Sequence, residues 1–254
     1  MIAPSKKGLT PGAKQKLSMA LLALLILLAG CRPKPETTET ALAKTQNPEL
    51  ISELNQAICH LYPNQFKAVH HVALTLLGKT YVLNGYLTVN RRGKQLHLIA
   101  QNDMGGTLFE IHTEGEKTRI QSNTKYLKTS WLEKSVVRDL ETLYLPPPLS
   151  SPKLYLDQDN TLLLSENQGR ISRKYLFKKE PQQNSDPEQN NYKLTGYRRL
   201  KNNKEVYAIG YIYDGKNTKK HPSFIAIEDQ VLNYQLKINS QYFFNATRIS
   251  DTKD

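Results

Sequence analysis

Six histidines, two cysteines and a scatter of serines and carboxylates are the side chains of this 254-residue sequence with chemistry to offer. His60, His70, His71, His97, His112 and His221 form neither an HExxH pair nor a Cys/His ligand grid. His70 and His71 are neighbours in an alternating stretch, so a strand there sends them to opposite faces. Cys59-His60 with either of them would make a weak metal site, and no metal and no cofactor is assigned. No serine stands in a GxSxG elbow. The carboxylate pairs Asp157/Asp159 and Glu114/Glu116 fall in polar turns, where solvated surface is the ordinary account. Gly105-Gly106 lacks the lysine and the strand-to-helix setting of a phosphate loop. No catalytic residue emerges, and the chain is read as non-enzymatic. One thiol does have a defined chemistry. Cys31 directly follows the small-residue step Leu28-Ala29-Gly30, where a leader would be cut. Its sulfur can then carry a thioether-linked diacylglycerol and its new amino group an acyl chain such as palmitate. Each buried methylene adds about 0.8 kcal/mol, and two or more chains make such an anchor durable.

The stretch that positions Cys31 is a leader. Lys6, Lys7, Lys14 and Lys16 precede an apolar run, Leu17 to Leu28, broken only by Ser18. About a dozen apolar residues fall short of the roughly 20 that span a bilayer. With its small-residue step and cysteine, the segment resembles a bacterial lipoprotein signal with its lipobox. That resemblance implies residues 1–30 as signal peptide and Cys31 as the lipidated first residue. Arg32 stands where aspartate usually signals inner-membrane retention, which points to outer-membrane delivery facing the periplasm.

Charge narrows the partners. The whole chain carries a formal +12, and without the four leader lysines the remainder keeps +8. This basicity suits an anionic membrane surface, but it is dispersed in KK, RR and KNNK pairs with no arginine stripe. Nucleic acid is therefore a poor partner. Once Cys31 is lipidated only Cys59 remains, so no disulfide forms within the chain. Cys59 is expected to be a partly buried helical residue.

Residues 31–48, with their prolines, threonines and charges, have little to bury and read as a flexible tether. Residues 49–250 then form a single domain. It opens with an amphipathic helix over Glu49–Leu61, with Leu50, Leu54, Ala57, Ile58 and Leu61 at a period near 3.6. The period then switches to two. Val69–Leu76, Tyr81–Val89, Leu96–Ala100, Thr107–His112 and Thr118–Gln121 are joined by turns too short for parallel crossovers, hence an antiparallel meander. Trp131–Tyr144 is the strongest helix; Trp131, Ser135, Val136, Leu140 and Leu143 share one face, with Glu133, Lys134, Arg138 and Glu141 largely elsewhere. LPPPLSSP ends it and leads across to a second group of strands: Lys153–Leu156, Thr161–Ser165, Arg173–Lys178, Tyr192–Leu200, Glu205–Tyr213, Phe224–Glu228 and Val231–Ile238. Lys179–Asn191 reads as a polar loop. Tyr197, Tyr207, Tyr211 and Tyr213 interleave with Ile209 and Ile212 and are expected to line a sheet face.

Two alternatives stay open at this level. Met104, in Asn102-Asp103-Met104-Gly105-Gly106, either folds back onto the core or projects as a membrane-facing tip. The Trp131–Leu143 helix either packs flush on the sheet or leaves an elongated apolar cavity lined by Trp131, Val136, Leu140 and Leu143.

The order of lipobox, tether, meander, helix, proline-rich crossing and second strand group resembles the LolA/LolB-like superfamily. NDMG followed by TLFEI is similar to the insertion turn of its outer-membrane receptor, with methionine in place of leucine and aspartate in place of proline. The chain is closer still to predicted outer-membrane lipoproteins found beside genes for fatty-acid and aryl-polyene-like synthesis, over Phe66 to Phe244, through LFEIHTEG and VVRDLETLYLP. The Cys59 helix and the Lys179–Asn191 loop depart from that pattern. The resemblance implies a mainly β fold with α, a curved antiparallel sheet or incomplete barrel covered by helix. It also implies binding or transfer of an acylated or polyene lipid at the outer membrane. Outer-membrane lipids and an acyl-chain or lipopeptide cargo would be the partners. The rival reading is a non-enzymatic assembly factor holding an envelope protein, followed by a hydrolase of envelope lipids or glycans.

Overall fold

The computed structural model describes residues 43–45, 47–157, 159–179, 192–214 and 221–245. Contacts divide the chain into 1–41 and 42–254, and the fold below belongs to the second unit. The leader, Cys31 and most of the 31–48 tether lie outside the described residues, as does the 180–191 part of the polar loop.

The elements run β1 (Ala43–Thr45), α1 (Pro48–Cys59), β2 (Gln65–Leu76), β3 (Lys79–Asn90), β4 (Gln95–Gln101), β5 (Thr107–Glu114) and β6 (Lys117–Ser122). A broken helix, α2, follows as three consecutive pieces: Thr129–Leu132, a π-helical turn Glu133–Val137, and Arg138–Tyr144. Then come β7 (Lys153–Leu156), β8 (Leu162–Gln168), β9 (Ile171–Lys179), β10 (Tyr192–Lys201), β11 (Lys204–Ile212), β12 (Phe224–Asp229) and β13 (Tyr234–Asn245).

Among the described residues, thirteen strands form one antiparallel sheet in the order β1-β7-β8-β9-β10-β11-β12-β13-β2-β3-β4-β5-β6. The two meanders are fused through β13 and β2, Tyr234 opposite Leu76 and Ile238 opposite Val72. The chain leaves one edge of the sheet at β6 and re-enters beside the other edge at β7. Its connection, α2 plus the proline-rich loop, therefore has to cross the sheet, and it does so on the apolar face. This is a mainly β fold, a curved sheet capped by helix.

Alternation sets that face. Along β3, Leu83, Leu87 and Val89 are buried while Tyr86 and Thr88 between them are exposed, as a strand with one wet side requires. Phe66, Ala68, His70 and Leu74 do the same on β2, and His71 faces outward. Tyr207, Ile209 and Tyr211 face the core on β11, but Ile212 is 58% exposed, one residue out of phase with the buried set. The first helix is shorter than its periodicity suggested. Asn47 caps it by accepting from Leu50 N at 3.0 Å, with Pro48 at the first position, and it ends at Cys59, a half-buried free thiol. Leu54 and Ile58 bury its apolar face. Asn55 ties it to the crossing loop in both directions, donating to Leu149 O at 3.1 Å and accepting from Leu149 N at 3.0 Å.

Two boundaries depart from the sequence reading. Ala43–Thr45, inside the segment assigned to the tether, pairs with Leu154–Leu156 as an edge strand. Val231–Asn233 form the turn before β13, because Asp229 Oδ1 accepts from Val231 N at 2.7 Å and Leu232 N at 2.6 Å and bends the chain there.

Candidate functional site

The covering helix carries most of the site. Its π-helical turn changes which residues face the sheet. A π-turn inserts a residue relative to α-helical spacing, so the buried face rotates partway along. Leu132 and Ser135 are buried before the shift; Val137, Asp139, Leu140, Leu143 and Tyr144 are buried after it. Trp131 and Val136, expected beneath the helix, are instead half-buried at its margin. Ser135 Oγ donates to Trp131 O at 2.6 Å within the turn. Leu140 and Leu143, both expected to line a cavity, belong to the packed core.

Beneath the helix sits a polar cluster that the sequence did not disclose. Asp139 is 1% exposed. Its Oδ1 accepts from Tyr207 Oη at 2.9 Å and from Arg138 Nη2 at 2.9 Å, and its Oδ2 accepts from Tyr234 Oη at 2.6 Å. Arg138 also donates to Tyr234 Oη at 2.7 Å, pairs through Nη1 with Asp229 at 2.7 Å, and lies 4.6 Å over the Tyr207 ring. Burial pushes the Asp139 carboxyl upward against the opposing pull of Arg138 and the two tyrosine hydroxyls. Burial also raises both tyrosines, with the Asp139 charge adding to it. The guanidinium is held firmly charged: Asp139 and its hydrogen bond overcome the loss of water. Arg138 was expected largely off the apolar face of the helix, and its guanidinium instead reaches the sheet beneath it. The recoverable signal was the row of tyrosines on β11 and β13, whose hydroxyls need partners once buried.

Tyr234 extends this cluster outward. Trp131 packs edge-on against its ring at 5.5 Å, and Tyr234 itself walls a recess of about 320 Å³ between the β2–β3 and β12–β13 turns. Thr75, Leu77, Glu228, Asp229 and Gln230 form other parts of the wall. The recess is thus linked to α2 through Asp229 and Arg138.

Met104 lies elsewhere on the rim and is 92% exposed. Asn102 builds the turn that holds it out: its Oδ1 accepts from Met104 N at 3.1 Å and Gly106 N at 2.8 Å, and Gly105 takes φ +80. Since the turn's bonds are all made by backbone and Asn102, the methionine side chain contributes nothing to its shape. Its alternative place in the core is not taken.

The other chemical candidates are scattered. His70 is buried against Tyr144, His221 Nδ1 lies 2.7 Å from Leu61 O, and His97 Nε2 lies 2.6 Å from Glu110 Oε1 on the outer face. Among the described residues no three His, Cys, Asp or Glu side chains converge as a metal site. Asp157 and Asp159 shape the turn before β8, where Thr161 N donates to Asp159 at 3.3 Å. Glu114 accepts from Gln95 at 3.1 Å.

No protein-family model and no curated protein matches the sequence. Solved structures share its outline. A LolA superfamily protein from Nitrosomonas europaea aligns over 79% of this chain and 94% of its own, with a TM-score of 0.46 at 8% identity. A DUF1329 family protein from Desulfovibrio piger aligns over 82% and 96%, with a TM-score of 0.48 at 9% identity. These are likenesses of outline and assign no activity to this chain.

Proposed function

We propose that this chain is a lipoprotein, anchored through Cys31 at the outer membrane and facing the periplasm, that binds or transfers an acylated or polyene lipid. The observation that supports the reading is the cover itself. The helices α1 and α2 cover the apolar face of a long curved sheet, and α2 is broken by a π-turn between Trp131 and Arg138. Single π-turns inside α-helices recur at functional sites, and this one divides the cover where a shift would uncover the sheet. Displacing it would expose Leu132, Val137, Leu140 and Leu143 together with the sheet's aliphatic face. An acyl chain of about 14 methylenes buried there would provide on the order of 10 kcal/mol before the costs of binding. Native mass spectrometry of the soluble Arg32–Asp254 form, which lacks the Cys31 anchor, purified from its own envelope is expected to show non-covalently bound lipid mass. Absence of binding to native lipid, fatty acid, phospholipid and lipopeptide alike, on folded protein at about micromolar concentration, would overturn the reading.

Met104 supplies a second test. Met104→Glu is expected to leave the thermal midpoint within about 2 °C of the parent, since exposed substitutions cost under roughly 0.5 kcal/mol. Lipid transfer to acceptor vesicles should fall severalfold if the tip enters the bilayer. Unchanged transfer would remove Met104 from the function.

The packing of Leu132, Leu140 and Leu143 in the core supports the rival reading, in which the cover stays shut and the sheet serves a protein partner. Among the described residues the sheet ends at β6 with one side unpaired, a place for strand addition. Failure of all lipid binding would favour this reading.

A further inference from the structure

We infer that one end of the sheet is a docking face for an anionic lipid bilayer, built from three turns and a loop that register sends to that end. Antiparallel pairing sends alternate connections to the same end. Leu76 opposite Lys79 and Tyr234 opposite Leu76 put the β2–β3 and β12–β13 turns there. Gln101 opposite Asn84 directs the β4–β5 turn to that end, and Phe109 opposite Ser122 does so for the loop leaving β6. That loop is tied to the Met104 turn, because Asn123 Nδ2 donates to Thr107 O at 3.3 Å.

Among the described residues, the four most exposed large apolar side chains all lie on these connections: Met104 at 92%, Tyr126 at 79%, Leu77 at 77% and Val231 at 66%. None of them contributes to the core, and Leu77 is held out at φ 51. A water-facing end has no use for four such tips, while an interface of headgroups and acyl chains accepts them. The charges at the same end choose the lipid. Lys79, Lys125, Lys128 and Lys204 are exposed there and outnumber the exposed acids of these turns, Asp103 and Glu228. Basic side chains beside apolar tips fit anionic headgroups, each cation adding roughly 1 kcal/mol near a charged surface. The recess between the Leu77 and Val231 turns would open toward the bilayer, so that lipid meets Tyr234 and the Arg138 cluster first.

This inference rests on the proposal that the chain works at a membrane, and its test separates the two. In a Cys59→Ala background, full-length protein carrying Leu77→Cys, Tyr126→Cys or Val231→Cys is labelled with bimane and reconstituted into vesicles containing phosphatidylglycerol and a nitroxide lipid. Ile212→Cys, at the opposite end of the strands and already 58% exposed, is the control. Quenching of the three rim labels is expected to exceed that of the control at least about twofold, and to weaken when neutral lipid replaces phosphatidylglycerol. Equal or stronger quenching at Ile212 overturns the docking face. So does absence of quenching at all three rim positions; if the same samples still bind fluorescent fatty acid, the lipid-binding proposal stands without it. If they bind neither, both fall and the end is left to a protein partner.

Discussion

Asp139→Ala is expected to lower the unfolding free energy by about 3 kcal/mol, and by up to about 5 if Arg138 finds no second position. The size follows from what the carboxylate leaves behind. Tyr207 and Tyr234 would each lose the acceptor for a buried hydroxyl, at roughly 1–3 kcal/mol apiece. Arg138 would keep Asp229 at 2.7 Å, which is why the lower figure is favoured over the upper. Asp139→Asn retains one carbonyl for a tyrosine and is expected to cost less than half as much. Urea unfolding at neutral pH measures both. Equal effects from the two substitutions would show that charge, and not acceptor geometry, is what the cluster supplies. A loss below about 0.5 kcal/mol would mean that water reaches the site and that α2 is not held by it. Because the cluster joins helix to sheet, weakening it should also loosen the cover. Lipid exchange in the Asn variant is therefore expected to quicken while the fold persists.

The strands of the first meander were legible because they were half wet, whereas β8 is buried on both faces from Leu162 to Glu166. VHHVALTL, YVLNGYLTV and LHLIA alternate, short glycine-bearing turns leave only antiparallel neighbours, and β2–β6 form the meander these signals describe. Residues 43–45 were not legible. Three residues of low apolar content become strand only because β7 offers an unpaired edge, a tertiary cause absent from local pattern. The face of α2 was misread for a different reason. Helical periodicity presumes 3.6 residues per turn, and the π-turn at Glu133–Val137 breaks that count, moving Val136 aside and bringing Val137 and Asp139 inward. An aspartate next to an arginine on an amphipathic helix reads as solvated surface unless its partners are known, and those partners lie far away on β11 and β13. Asn102 and Gly105 marked the Met104 turn correctly as a turn, whereas whether its methionine faced in or out depended on stagger between strands.

Acid should unfold the protein partly through one residue, His70. Its ring is 5% exposed, 3.2 Å from Tyr144 Oη on one side and 3.1 Å from Ser240 Oγ on the other, and stacked beside Tyr144. Two hydroxyls can satisfy a neutral imidazole in either tautomer, but neither compensates a buried positive charge. Burial accordingly pushes the imidazole down to about 4 from an ordinary 6.5. The unfolded chain binds the proton first, so stability is whole above about pH 6.5 and drains away as pH falls toward 4. Over that window the loss from this group alone is about 3 kcal/mol. His70→Asn removes the titration while leaving a polar group to face the hydroxyls. The variant should start less stable at pH 7 and show a shallower fall between pH 6.5 and 4, other carboxylates contributing equally to both proteins. Parallel slopes in the two would mean that the ring is reached by water or charged in the folded state. Tyr144 belongs to α2 and Ser240 to β13, so a charged His70 would press on the same helix-to-sheet joint as Asp139. Loss of Asp139 should therefore deepen the acid sensitivity, and a double variant whose losses simply add would show that the two clusters are not coupled through the helix.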